Sequence, residues 1–262
     1  LRTALSALLV LALLSAPTRA RQQPAPSGAR LIDSFGEIQL SDLMARLDFF
    51  AIELWNIPGA RGVVVAYAAR HKFPGWPVRR GHMMVDYLVN TRGLEASRLS
   101  VFNGGLRDET AFELWLVPRG AELPVKPFDA SLLMSGEKSP VLLDRLVVVE
   151  RGDEITSAYG LEPKPDSAGV YEYFAEVLRR DPSLRGCVIA YTWRRGARSA
   201  DRRIAARAKM TIAKSHAVDV ARLFTRGGGR RAYKTIELWL VPPGAPLPRP
   251  TPEAPRARRP RR

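Results

Sequence analysis

At 262 residues the chain has room for one large domain or two small ones. A hydrophobic fraction of 46% and a charged fraction of 26% exclude wholesale disorder. The formal net charge of +15 attracts polyanions such as nucleic acid, anionic lipid or acidic glycan, without choosing among them.

In chain order, Arg2 precedes an apolar run from Ala4 to Leu14, and Thr18-Arg19-Ala20 then offers small residues where a signal peptidase reads them. Residues 1–20 are therefore expected to be an export signal, because the run is shorter than the ~20 apolar residues a bilayer span needs. Export predicts a secreted or periplasmic protein with no transmembrane segment in the mature chain, and it argues against nucleic acid as partner. Leu31 to Ile38 then has the look of a strand. Ser41-Asp42 supplies a helix N-cap, and Leu43, Leu47, Phe50, Ala51 and Leu54 form one apolar helical face that stops at Pro58-Gly59. Val63 to Tyr67 is a continuous apolar run, as in a strand covered on both faces. A second helix is predicted from Arg79 to Arg92, ending at Gly93. A strand from Arg98 to Phe102 follows, then a turn at Asn103-Gly104-Gly105, and a last strand from Phe112 to Val117.

This unit occurs twice. Glu113-Leu114-Trp115-Leu116-Val117-Pro118 recurs unchanged as Glu237-Leu238-Trp239-Leu240-Val241-Pro242, 124 residues on. The same offset carries Phe50-Ala51 to Phe174-Ala175, Arg61-Gly62 to Arg185-Gly186, Tyr67 to Tyr191, Arg98-Leu99 to Arg222-Leu223 and Gly104-Gly105 to Gly228-Gly229. The ungapped match runs from Phe50 to Gly120 and marks a duplication. Upstream, Leu31-Ile32-Asp33 pairs with Leu142-Leu143-Asp144 at an offset of 111, so the second repeat has about thirteen extra residues near Gly152 to Pro165. The predicted fold class is α/β: two tandem β-α-β-α-β-β domains, each a mixed sheet with both helices on one face, as right-handed crossovers require. Residues 21–120 and 141–244 are the two domains and 121–140 a linker. Residues 245–262, with six Pro, six Arg and one Glu, form a tail expected to be extended or disordered. Its surplus charge suits attachment to an anionic surface.

The second helix of the first repeat, Arg79-Arg80-Gly81-His82-Met83-Met84-Val85-Asp86-Tyr87-Leu88, with Gly93-Leu94 and Arg98-Leu99 after it, resembles the OmpA-like domain of bacterial cell envelopes. The resemblance covers most of Leu31 to Pro118 and is fainter in the second repeat. It implies non-covalent binding of peptidoglycan, with a helix Arg and an Asp after the central strand gripping the charged ends of diaminopimelate. Arg80 falls at the Arg position. The Asp position is Ala69 in the first repeat and Trp193 in the second, and Ile204 stands at the Arg position of the second repeat, beside Arg202 and Arg203. Half of the family's grip is therefore missing.

The candidate ligand-binding residues are Arg80, Arg107, Arg203 and Arg231. The alternative for Arg80 is an exposed residue at a helix N-terminus. Gly227-Gly228-Gly229-Arg230-Arg231 reads as an anion cradle or as a plain hairpin turn, and the position of its counterpart between two strands favours the turn. Glu113 and Glu237 read as salt-bridged strand positions rather than paired catalytic acids, and Trp115 and Trp239 as sheet-face packing rather than sugar platforms. His71, His82 and His216 have no metal-ligand spacing, so neither metal nor other cofactor is expected. Cys187, the one cysteine, reads as an inert core thiol. No nucleophile elbow appears. The expected function is a non-catalytic envelope binding or scaffolding protein. Its partner would be peptidoglycan, another anionic envelope polymer or a lipid surface, and the alternative is an exported enzyme acting on an acidic cell-wall glycan.

Overall fold

The computed structural model describes residues 28–126, 128–148, 169–194, 196–197 and 199–253. The expected export signal, the extra residues near 152–165, Arg195 and residues 254–262 lie outside the described residues. The first repeat comprises β1 (Arg30–Phe35), α1 (Leu40–Asn56), β2 (Arg61–Ala69), α2 (Gly75–Asn90), β3 (Leu99–Arg107) and β4 (Ala111–Val117). The second comprises β5 (Val141–Val148), α3 (Val170–Arg180), β6 (Arg185–Trp193), α4 (Ala200–Ser215), β7 (Leu223–Arg231) and β8 (Lys234–Val241). The sheet orders are β1-β4-β2-β3 and β5-β8-β6-β7, and only β2–β3 and β6–β7 are parallel pairs. This is the expected pair of tandem mixed-sheet domains with helices on one face. The offset of 111 is also present in the hydrogen bonding: β1 has a register shift between Leu31 and Asp33, and β5 has it between Leu142 and Asp144.

The apolar faces explain the layers. Leu43, Leu47, Phe50, Ala51 and Leu54 of α1 are all buried, and they pack with Met84, Tyr87 and Leu88 of α2 over Val64, Ala66, Leu114 and Leu116. Burying one such side chain contributes about 1.5–3 kcal/mol. Arg98 and Arg222, matched at the 124-residue offset, close the C-terminal ends of α1 and α3. Arg98 donates to the carbonyls of Leu54, Ile57 and Ala60, and Arg222 to those of Leu178, Asp181 and Leu184.

Four boundaries differ from expectation. β1 ends at Phe35 rather than Ile38. α1 begins at Leu40 after Gln39, so Ser41-Asp42 sits inside its first turn and does not cap it; Asp42 there still complements the helix dipole. α2 begins at Gly75, four residues before Arg79, with Pro77 in the first turn where a missing N–H costs nothing. Neither Gly104-Gly105 nor Gly227-Gly228-Gly229 is a turn, because β3 runs on to Arg107 and β7 to Arg231. A Cβ at Gly104 or Gly228 would fall inside the Tyr67 or Tyr191 ring, and Gly105 and Gly229 hold φ of +93° and +83° at the register shift opposite β2 and β6.

The segments after β4 and β8 are fastened to the sheets. Ala121, Leu123 and Val125 cover the face of the first sheet away from the helices, where Val63, Val65, Tyr67 and Trp115 lie. Ala245 and Leu247 do the same for Cys187, Ile189, Tyr191 and Trp239. The linker of residues 121–140 packs through its own apolar residues: the one-turn helix Ala130–Met134 buries Ala130, Leu133 and Met134 in the second core. Residues 245–253 are likewise not loose. Thr251 N donates to the Tyr191 hydroxyl at 3.0 Å, Arg231 donates to Thr251 at 2.8 Å, and Glu253 pairs with Arg194 at 3.1 Å. Apolar residues at the start of each segment and a few polar anchors hold a chain that composition alone marks as free.

The two repeats are joined through α2. Val78 is part of the second core, with Val101, Leu106 and Phe128 packed against it. Arg79 donates to Asp144 at 2.7 Å, and that carboxylate is fully buried. Asn103 donates to the Tyr173 hydroxyl at 2.9 Å, and Arg145 lies over the Phe73 ring. A Cβ at Gly75 would stand 3.0 Å from both the Asp144 Cβ and the Leu143 carbonyl, so a larger residue here would push β5 away by a few tenths of an ångström. His82 packs beside Gly169, and burial holds its imidazole below the usual value against the pull of Glu172.

Candidate functional site

The four arginines expected to bind ligand do not converge. Arg107 and Arg231 lie at the ends of β3 and β7, away from the helices, in two copies of one polar cluster. Arg107 stacks on the Tyr67 ring at 3.2 Å and donates to Glu113 at 2.8 Å, and Glu113 also accepts from the Tyr67 hydroxyl and the Trp115 indole. Arg231 repeats this with Tyr191, Glu237 and Trp239, and Arg145 adds a second cation to Glu237. Burial raises the pKa of Glu113, but the donated hydrogen bonds from Trp115, Arg107 and Tyr67 outweigh it, so the carboxyl lies below its usual range. The same burial and the bond to Glu113 push Tyr67 up to about 12. Both clusters are hydrogen-bonded packing units; the first is charge-balanced, and the second carries one extra positive charge from Arg145. Glu113 and Glu237 are salt-bridged strand residues, as read from sequence.

Arg80 and Arg203 lie on the helical side, at two versions of one depression between a helix and the β1- or β5-bearing half of its sheet. In the first repeat Phe35, Glu37, Trp76, Arg80, Met84 and Phe112 leave a cavity of about 120 Å³. Trp76 and Phe35 both pack on Phe112, at ring centroid distances of 6.2 and 5.8 Å, and narrow it to that volume. Arg80 is half-buried there, and burial and the Arg79 charge draw its pKa down while Glu37 opposes them. Glu37 is itself paired with Lys72. Ala69, at the position of the family acid, is buried at the end of β2 and contributes nothing to the depression.

In the second repeat the walls are cut back. Trp76 becomes Ala200, Met84 becomes Ala208, Phe112 becomes Ile236 and Phe35 becomes Leu146. The result is an open pocket of about 460 Å³. Ala205, Ala208 and Ile212 anchor α4 to the core, and this sets Arg203 and Arg207 on the rim. Lys234, at the start of β8, supplies a third cation; Tyr171, Thr192 and Trp193 supply aromatic and hydroxyl surface. Among the described residues that line it none is acidic. Trp193, which stands where the family has Asp, is 41% exposed and forms an edge of the pocket. Ile204, in place of the family Arg, lies in its wall. An anion with some apolar body matches this surface, whereas the ammonium of a zwitterion finds no carboxylate among the described lining residues.

Of the expected residues, then, only Arg203 belongs to the open pocket. Arg207, Lys234 and Trp193 also line it and are not among the residues expected from sequence, although the 124-residue offset holds the signal: it sets three large wall residues against three smaller ones. Among the described residues no group of three or more His, Cys, Asp or Glu could hold a metal, and no helix is long and apolar enough to cross a membrane. Burial pushes the Cys187 thiol up to about 11, which keeps it protonated at neutral pH. No protein-family model matches the chain, and no curated protein matches it.

Proposed function

We propose that this is a non-catalytic binding protein of the bacterial cell envelope that holds a carboxylate-bearing wall polymer, in the first place peptidoglycan, in the second-repeat pocket. One observation carries the reading: the pocket plugged by Trp76, Phe112 and Met84 in the first repeat is opened in the second and rimmed by Arg203, Arg207 and Lys234. The OmpA-like order of elements and the export signal read from sequence support the location and the ligand class. The peptide stems of peptidoglycan end in carboxylates, which guanidinium groups fork onto. Binding by the full mature chain to purified sacculi tests this. Arg207→Ala and Lys234→Ala should each weaken it by about 1.5–3 kcal/mol. Ala200→Trp should abolish it by refilling the pocket, and Arg80→Ala should leave it unchanged. Parent-like binding by Ala200→Trp would refute the pocket as the site, and recovery of the protein away from the envelope on cell fractionation would refute the location.

A further inference from the structure

The helices α2 and α4 occupy the same place in their repeats and have different surroundings. α2 lies against α3 and β5 of the second repeat. Arg79, Met83, Asp86 and Asn90 follow on it at three- and four-residue steps, and the first three are half-buried. The 124-residue offset carries them to Arg203, Arg207, Met210 and Lys214 of α4, all four exposed. The charges of Arg79 and Asp86 cancel, whereas the stripe on α4 holds three cations and no acid. Arg203 and Arg207 are also rim residues of the open pocket, so the stripe starts there and runs on to Lys214. At 1.5 Å of rise per residue, the distance along the helix from Arg203 to Lys214 is about 16 Å.

Solubility and helix stability do not account for these charges. A solvated face mixes both signs, but Asp201 is the one acid of α4, and it accepts from Gly229 N at 2.9 Å. Arg202 and Arg203 stand in the first turn, at the positive end of the helix dipole, where cations are unfavourable. Arg203 and Arg207, four residues apart, repel each other. The ion pairs of the second repeat use Arg145, Arg180, Arg194 and Arg231, and no carboxylate of a described residue pairs with Arg203, Arg207 or Lys214. The arrangement weakens the helix unless an anion lies along it. The shape of the stripe selects among anions. It is one side chain wide, with Met210, 42% exposed, between Arg207 and Lys214. That suits a single extended strand, whereas a flat bilayer would engage Arg202, on the flank, as readily as Lys214.

We infer that the ligand in the pocket is one unit of a linear polycarboxylate that continues along α4, with further carboxylates on Arg207 and Lys214. The strand begins in the pocket proposed above, on which this rests, and the ligand becomes a run of repeated carboxylates rather than one terminal group. N-acetylated oligoglutamates are the probe. A residue of extended chain spans at most about 3.3–3.6 Å, so a trimer occupies the pocket end alone and an octamer reaches Lys214. In calorimetric titration of the full mature chain at low salt, Lys214→Ala should bind the octamer about fivefold more weakly than the parent and the trimer equally well. Arg202→Ala removes the same charge off the stripe and should bind both probes within about twofold of the parent. Both side chains are exposed, so thermal unfolding of both variants should match the parent. Equal octamer losses in the two variants would mean diffuse attraction to the whole face, as for a bilayer, and would overturn the strand. Parent-like octamer binding by Lys214→Ala would overturn it too, and in either case trimer binding and its loss in Ala200→Trp would leave the pocket standing. Trimer binding that survives Ala200→Trp would instead sink the pocket, and with it the start of the strand.

Discussion

Asp33 and Asp144 occupy the same place in the two repeats and are neutralised in opposite ways. Asp33 accepts from Arg46 of its own repeat near the surface, and Asp144, fully buried, accepts from Arg79 of the other repeat. Removing a partner at the surface forfeits a small Coulomb gain, roughly 0–1 kcal/mol. Removing it in the interior strands a carboxylate without water, at a cost of about 3–5 kcal/mol. Arg79→Ala should therefore lower the free energy of unfolding by that larger amount, and Arg46→Ala by no more than about 1 kcal/mol. Denaturant unfolding of both variants decides; equal losses would mean that Asp144 finds water or another donor. The duplication let the two aspartates be aligned from sequence. The change of partner could not be read, because Arg79 appears there only as a residue of the helix that opens the family motif.

At the scale of elements, periodicity served where one force dominated. The three- and four-residue spacing of α1 and the apolar run of β2 have a single physical cause, burial on one or both faces, and both lie where expected. Glycine and proline misled because each has more than one use. Gly104-Gly105 reads as a turn, yet it makes room for the Tyr67 ring and allows a bulge. The pocket was hidden for a related reason: the repeat was traced through identities, and the cavity lies at the differences. Proline likewise marks residues 245–253 as free, although Ala245 and Leu247 join an apolar cluster and Thr251 is bonded to Tyr191 and Arg231. Truncation after Gly244 should consequently cost about 2–4 kcal/mol, the sum of one buried aliphatic contact and one or two net hydrogen bonds. Truncation after Glu253 should leave the unfolding temperature unchanged. If both truncations unfold like the parent, the segment lies on the sheet without stabilising it.

At the scale of the whole molecule, the two domains are alike in topology and unequal in self-sufficiency. The first repeat closes its core with its own residues: Phe35, the α1 and α2 faces and β4 form one cluster to which no described residue of the second repeat belongs. The core of the second repeat includes Val78 and is packed by Val101, Leu106 and Phe128, all from the chain before residue 129. Its buried Asp144 depends on Arg79. Each set of elements is complete at about 100 residues, which by itself favours independent folding of both. Magnitudes decide otherwise for the second. Removing the first repeat takes Arg79 from Asp144 and exposes the apolar surface that Val78 and Phe128 cover, a loss of several contributions of about 1.5–3 kcal/mol each against a total of only about 5–15 kcal/mol for an ordinary domain. A fragment of residues 28–128 should thus unfold cooperatively with near-parent stability. A fragment of residues 129–253 should be unfolded or molten by near-ultraviolet circular dichroism. Adding the first fragment should restore its tertiary signal, because the α2 face then supplies Arg79 and Val78 in trans. Cooperative unfolding of the isolated second repeat at parent stability would show that the joint binds two finished domains and completes neither.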